Sequence, residues 1–214
     1  MNVAKINNIT LFVILCLLTF IASEATKYIF DLNTLIYNSL IEKLSIEKAD
    51  EIFNNARKWQ LLGYVFIPIF LFLKTQLIAG ILGMGSMFYS KVLPHKKLWG
   101  IVLKAEFIFI LLAFIKIVWL FFSGTNFDID TIENFQPLSV LSLIGYESVD
   151  LWYRYPLKVI NLFEILYCIV LAFLIDRLLK EKDKNSGILI VASSYAPTLL
   201  LWTTGVMFLT LNLN

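Results

Sequence analysis

Along the chain, apolar runs of about twenty residues alternate with shorter polar segments. The runs predict helices at 6–30, 61–89, 98–122, 157–175 and 188–211, each long enough to cross a hydrocarbon layer of about 30 Å. Two long connectors, 31–60 and 123–156, carry most of the remaining charge. Within the first, Ala49, Ile52, Phe53 and Ala56 recur at helical spacing, which predicts a short amphipathic helix over 45–59. Ser45 is its expected N-cap. Acids stand near its start and Arg57 and Lys58 near its end, as the helix dipole favours. This helix is expected to lie on the bilayer or on its neighbours and to lead into the second run. In the second connector, 137–144 with Gly145 as a stop predicts a short interfacial helix. Pro68 predicts a kink in the second run.

Composition narrows the class. Residues AVILMFWYC make up 59% of the chain and charged residues 16%, against about 25% charged in a soluble domain. The chain is therefore expected to be an all-α integral membrane protein with five transmembrane helices and short interfacial ones, in one domain over 1–214. A net charge of +2 gives no reason to expect nucleic acid. Cys16 and Cys168 sit in apolar runs without a C-x-x-C and are expected to be small buried hydrophobes. The first run could be a signal peptide cleaved near 22–25. Its thin basic start and the apolar character that resumes at Tyr28 favour a retained helix.

Lysine and arginine in short loops mark the cytoplasmic side. The loop 91–97 holds Lys91, Lys96 and Lys97, and the loop 176–184 holds Arg177, Lys180, Lys182 and Lys184. Two runs separate these loops, so they are expected on one side. The connector between them has Arg154 alone against five acids. This places the N-terminus in the cytoplasm and the C-terminus outside. Lys43, Lys48, Arg57 and Lys58 run against the rule in 31–60, which must then lie outside.

Ionisable residues inside a bilayer cost about 2.5–3.5 kcal/mol each on insertion scales and need a reason. Lys104 is expected to snorkel. Glu164, about 10 Å along a helix starting at Leu157, cannot. Lys158, Asn161, Glu164 and Cys168 would share one helix face that points into the bundle. Glu164 is expected to pair with Lys74 or Lys116, either as a structural ion pair or as an ion or proton site. Glu106 is a second candidate, partnered by Lys104 or by a polar group on another helix. Ala79, Gly80, Gly83 and Gly85, with Ser86, form a small-residue patch for close helix approach. The order Gly80-x-x-Gly83-x-Gly85 is not a nucleotide fingerprint, since no strand precedes it. His95 stands among lysines, and no cluster has metal-ligand spacing, so neither metal nor cofactor is expected. Ser193 and Ser194 have no histidine inside the membrane to activate them, so no catalytic residue is assigned. Trp99, Trp152, Tyr153, Tyr155 and Tyr167 are expected to form an interfacial belt.

Several stretches resemble the Yip1 family of multispan membrane proteins, over about residues 84–211. Phe88-Tyr-Ser-Lys91 followed by Lys97-Leu-Trp-Gly-Ile-Val is similar to that family's junction between second and third spans. Gln136-Pro-Leu-Ser-Val-Leu-Ser-Leu-Ile-Gly145 is similar to its outer helix, and Leu157-Lys-Val-Ile-Asn161-Leu-Phe163 to the opening of its fourth span. The resemblance implies five spans and a scaffold or accessory role in trafficking, transport or assembly of membrane components. Its implied partners are the lipid bilayer and other membrane proteins or further copies of the chain. Residues 1–8 are shorter than the cytosolic arm of the eukaryotic members, which speaks against their GTPase partners. The expected location is a bacterial cytoplasmic (inner) membrane. A small solute or ion transporter using Glu164 is the rival reading.

Overall fold

A computed structural model describes residues 7–124, 128–179 and 186–213. The chain is 88% helical and no strand forms among the described residues, so the all-α class stands. The helices are α1 (Asn8–Ile29), α2 (Leu32–Lys43), α3 (Ile46–Phe88), α4 (His95–Ser123), α5 (Ile129–Asn134), α6 (Val140–Ile144), α7 (Leu151–Val159), α8 (Leu162–Leu179) and α9 (Ser186–Leu213). Three segments are long and apolar enough to cross a membrane: Asn8–Ile29, Leu62–Phe88 and Ser186–Asn212.

Three boundaries differ from the hydropathy reading. The helix expected over 45–59 and the run after it are one element, α3, about 65 Å long at 1.5 Å per residue. Hydropathy changes at residue 61, but no proline or helix-ending glycine stands there, so the backbone continues. Ser45 occupies the N-cap position, yet its side chain makes no cap bond. Of the predicted apolar face, Ala49 is buried while Ile52 and Ala56 are exposed. Pro68 and Pro197 both lie inside unbroken helices. The preceding α2 was not legible as a helix. Asp31, in the left-handed region at φ 42°, turns the chain from α1 into α2. Asp is among the residues that tolerate that region. Tyr37 then packs on Phe53 and donates to Asp50 Oδ1 at 2.8 Å, holding α2 on α3.

The second correction concerns 157–175. Leu157 and Lys158 belong to α7, and the long helix starts only at Leu162. Asn161 makes the break. Its Nδ2 donates to the Lys158 and Val159 carbonyls, which closes α7, and its Oδ1 accepts the Glu164 N–H at 2.8 Å, which opens α8. The Val140 N–H donates to the Ile160 carbonyl and the Leu162 N–H to the Leu138 carbonyl, so α6 is tied to the break. That helix begins at Val140 rather than at 137; Ser139 supplies a capping box and Gly145, at φ 90°, ends it.

α4 is the centre of the bundle. It packs on α1, α3 and α8, while α9 packs on α3, α7 and α8. One core joins Ile78, Leu82, Leu98, Val102, Tyr167, Leu171 and Ile190; a smaller one joins Leu11 and Leu15 to Leu103. Between lipid-facing helices such contacts act by close packing, because lipid tails are as apolar as the side chains. At one end of the bundle, Asn8 Nδ2 donates to the Lys96 carbonyl at 2.8 Å and Tyr89 Oη to the Leu189 carbonyl at 3.4 Å. The starts of α1, α4 and α9 and the loop 91–97 therefore share that end. Asp176, near the end of α8, accepts the Gly187 N–H there at 2.6 Å. Lys180, Lys182 and Lys184 lie outside the described residues.

Candidate functional site

Two carboxylates inside the bundle each gather a set of polar groups, and the sets are joined through a pair of tyrosines. In the first, Lys74 on α3 reaches Glu106 on α4 at 2.8 Å. The lysine side chain is 46% exposed and the glutamate 4%, so the pair runs from the bundle surface into its core. Tyr167 on α8, wholly buried, donates to the other oxygen of Glu106 at 3.1 Å. The Lys74 ammonium also lies 4.3 Å from the Phe109 ring centre, and Phe109 packs on Tyr167 at 4.9 Å. Both Glu106 oxygens are thus bonded inside a closely packed shell. In a low dielectric, a buried carboxylate needs that degree of pairing to be tolerated.

In the second set, Tyr195 on α9 donates to Glu164 Oε1 at 2.6 Å. The Tyr195 ring lies 5.5 Å from that of Tyr167, which brings the two sets side by side. Glu164 also borders a cleft of about 370 Å³ between α7, α8 and α9, lined among others by Asn161, Ile165, Cys168, Leu200 and Thr203. The expected ion pair of Glu164 is not formed. Lys74 is bonded to Glu106 instead, and no ion pair joins Lys116 to Glu164 among the described residues. The polar stripe expected on one helix is also divided: Lys158 lies on α7 and donates to the Glu133 carbonyl at 2.6 Å, and Asn161 is spent on the helix break. Outside the long helices, burial holds the Lys158 ammonium below the ordinary lysine value. Glu164 stands in the first turn of α8, because the helix starts five residues later than hydropathy suggests.

The small-residue patch divides as well. Ala79, Gly85 and Ser86 are buried. A Cβ on Gly85 would stand 2.5 Å from Ser194 of α9, whereas one on Gly83 would make an ordinary 3.5 Å contact with Leu98 and one on Gly80 would meet nothing within 4 Å. Gly85 is the contact that needs glycine; Gly80 is not part of it. Gly187, which the sequence did not mark, approaches closer still: a Cβ there would lie 2.1 Å from the Ala172 carbonyl oxygen.

Lys104 is exposed, and the His95 ring lies 2.6 Å from the Gln76 amide oxygen. Ser193 and Ser194 both donate to the Ile190 carbonyl. No group of His, Cys, Asp and Glu that could hold a metal occurs among the described residues. Trp99 and Tyr167 do not belong to an interfacial belt: Trp99 donates to Thr75 inside the bundle at 3.1 Å. Tyr195 is a site residue that sequence reasoning passed over, and Tyr167 is one that it assigned to the belt instead. The available signal was a phenol within an apolar run, whose hydroxyl must find a partner when buried.

These contacts define a helical bundle with three candidate spans and a few paired polar groups in an apolar interior. Compared with protein-family models, characterised proteins and solved structures, the chain matches none of them.

Proposed function

We propose that this chain is a five-span integral membrane protein acting as a non-enzymatic scaffold or accessory for other membrane components, as its resemblance to the Yip1 family implies. The supporting observation is the closed Lys74–Glu106–Tyr167 set, which fixes α3, α4 and α8 in one register rather than lining a path. α4 and α8 supply the remaining two spans. At 18 residues, α8 is about 27 Å long, close to the hydrocarbon thickness. The acids within these two helices have partners: Glu106 has Lys74 and Tyr167, Glu164 has Tyr195, and Asp176 has the Gly187 N–H. The membrane is a bacterial cytoplasmic one, with the N-terminus and loop 91–97 inside and the C-terminus outside.

Two experiments test this reading. With Cys16 and Cys168 removed, a cysteine at Asp130 should react with a membrane-impermeant reagent in intact cells and one at Lys96 should not; the reverse pattern overturns the orientation. Purification of the tagged protein in mild detergent should yield a stoichiometric membrane partner or a homo-oligomer. A lone monomer in that preparation overturns the scaffold. The cleft beside Glu164 favours one second reading, transport of a small solute or ion. It predicts a flux in liposomes that Glu164→Gln abolishes.

A further inference from the structure

Glu164 has one oxygen engaged, by Tyr195. Its Oε2 has no hydrogen-bond or ion-pair partner among the described residues. No side-chain polar atom sealed from solvent is left unpaired there, so Oε2 is reached from outside the protein. Glu164 lines the cleft, whose other walls are mainly Pro156, Val159, Ile165, Leu199, Leu200 and Met207. No lysine, arginine or histidine lines it. Its amide and hydroxyl donors are already used: Asn161 in the helix break, Thr203 on the Leu199 carbonyl and Thr204 on the Leu200 carbonyl. Lys74, on the neighbouring helix, is already paired with Glu106.

We propose that this cleft binds a small organic amine, its ammonium on Glu164 Oε2 and its apolar body against α7 and α9. The volume is in the range of pockets for small molecules, about 300–1,000 Å³. An apolar wall with one convergent charged acceptor selects for a monocation carrying an N–H donor. A zwitterionic lipid headgroup fits less well, since its phosphate would find no cation on the lining. The Thr203 and Thr204 hydroxyls keep lone pairs free and can take a second N–H. The inference rests on the cleft named in the transport reading but not on transport itself.

The test uses the full chain in phosphatidylcholine nanodiscs and tritiated 1-adamantylamine, whose rigid apolar cage carries one ammonium. Saturable binding is expected, and 1-adamantanol, the neutral isostere, should not compete. Glu164→Gln should weaken binding by about tenfold or more, the value of one charge-assisted hydrogen bond. Leu200→Trp, a change at an exposed apolar position, should also weaken it by filling the cleft; it serves as the test should Glu164→Gln fail to fold. Equal competition by adamantanol, or undiminished binding to both variants, overturns the proposal. So does displacement of the amine by phosphatidylethanolamine added to the disc, which would assign the cleft to a lipid headgroup. Amine binding without flux in liposomes leaves this inference standing and removes the transport reading; flux without amine binding does the reverse.

Discussion

Glu106 and Glu164 are both carboxylates within apolar helices, and they are stabilised in opposite ways. Glu106 sits in the middle of the core, with a lysine on one oxygen and a tyrosine on the other. Glu164 sits in the first turn of its helix, with a tyrosine on one oxygen, and lines a cleft. The difference follows from depth. A carboxylate sealed from water must have its charge answered within the protein, while one that reaches a cleft can be served by whatever enters it. The first arrangement gives register and the second leaves a free acceptor.

The largest expected effect comes from opening the sealed set. Lys74→Met leaves Glu106 uncompensated and should cost about 3 kcal/mol, the low end for a broken buried pair because Lys74 is half exposed. Adding Glu106→Gln should recover much of that loss, since the amide oxygen can still accept from Tyr167. Equilibrium unfolding in mixed detergent measures both. A double variant no better than Lys74→Met would show that the pair is not the source of the effect.

Next in size are the close helix contacts. Gly187→Val would force α9 off the Ala172 carbonyl, and Gly85→Val would press on Ser194; each should cost about 1–3 kcal/mol as overpacking. Gly80→Ala, with open space around its Cβ, should instead be neutral or stabilising by up to about 1 kcal/mol. Comparable losses at Gly80 and Gly85 in the same assay would restore the undivided patch.

The smallest effect is expected at Glu164. Glu164→Gln keeps an acceptor for Tyr195 and removes no ion pair, so it should change stability by less than about 1 kcal/mol. A loss as large as that of Lys74→Met would place Glu164 with Glu106 as a structural charge and erase the contrast between them.

How much of this could be read beforehand depends on the range over which each property acts. Hydropathy gave long helices at 6–30, 61–89 and 188–211, overlapping the observed apolar segments 8–29, 62–88 and 186–212, because run length and composition are local. It also gave the stop at Gly145 and marked Lys74, Glu106 and Glu164 as charges needing an explanation. It joined 157–161 to the next helix, because Asn161 looks the same as a polar residue within a helix and as a cap between two. It missed α2, since Leu32–Lys43 is mixed in character and is held through Tyr37 by residues of α3. Run length and composition were enough for the all-α class, the long helices and the places where charge enters an apolar run. The packed helices alone reveal that Lys74 meets Glu106, that Tyr167 and Tyr195 stand between the two carboxylates, and that Glu164 borders a cleft. Partner choice depends on how far each helix is rotated about its axis and shifted along it, and those two quantities are set by packing against other helices, which no single segment encodes.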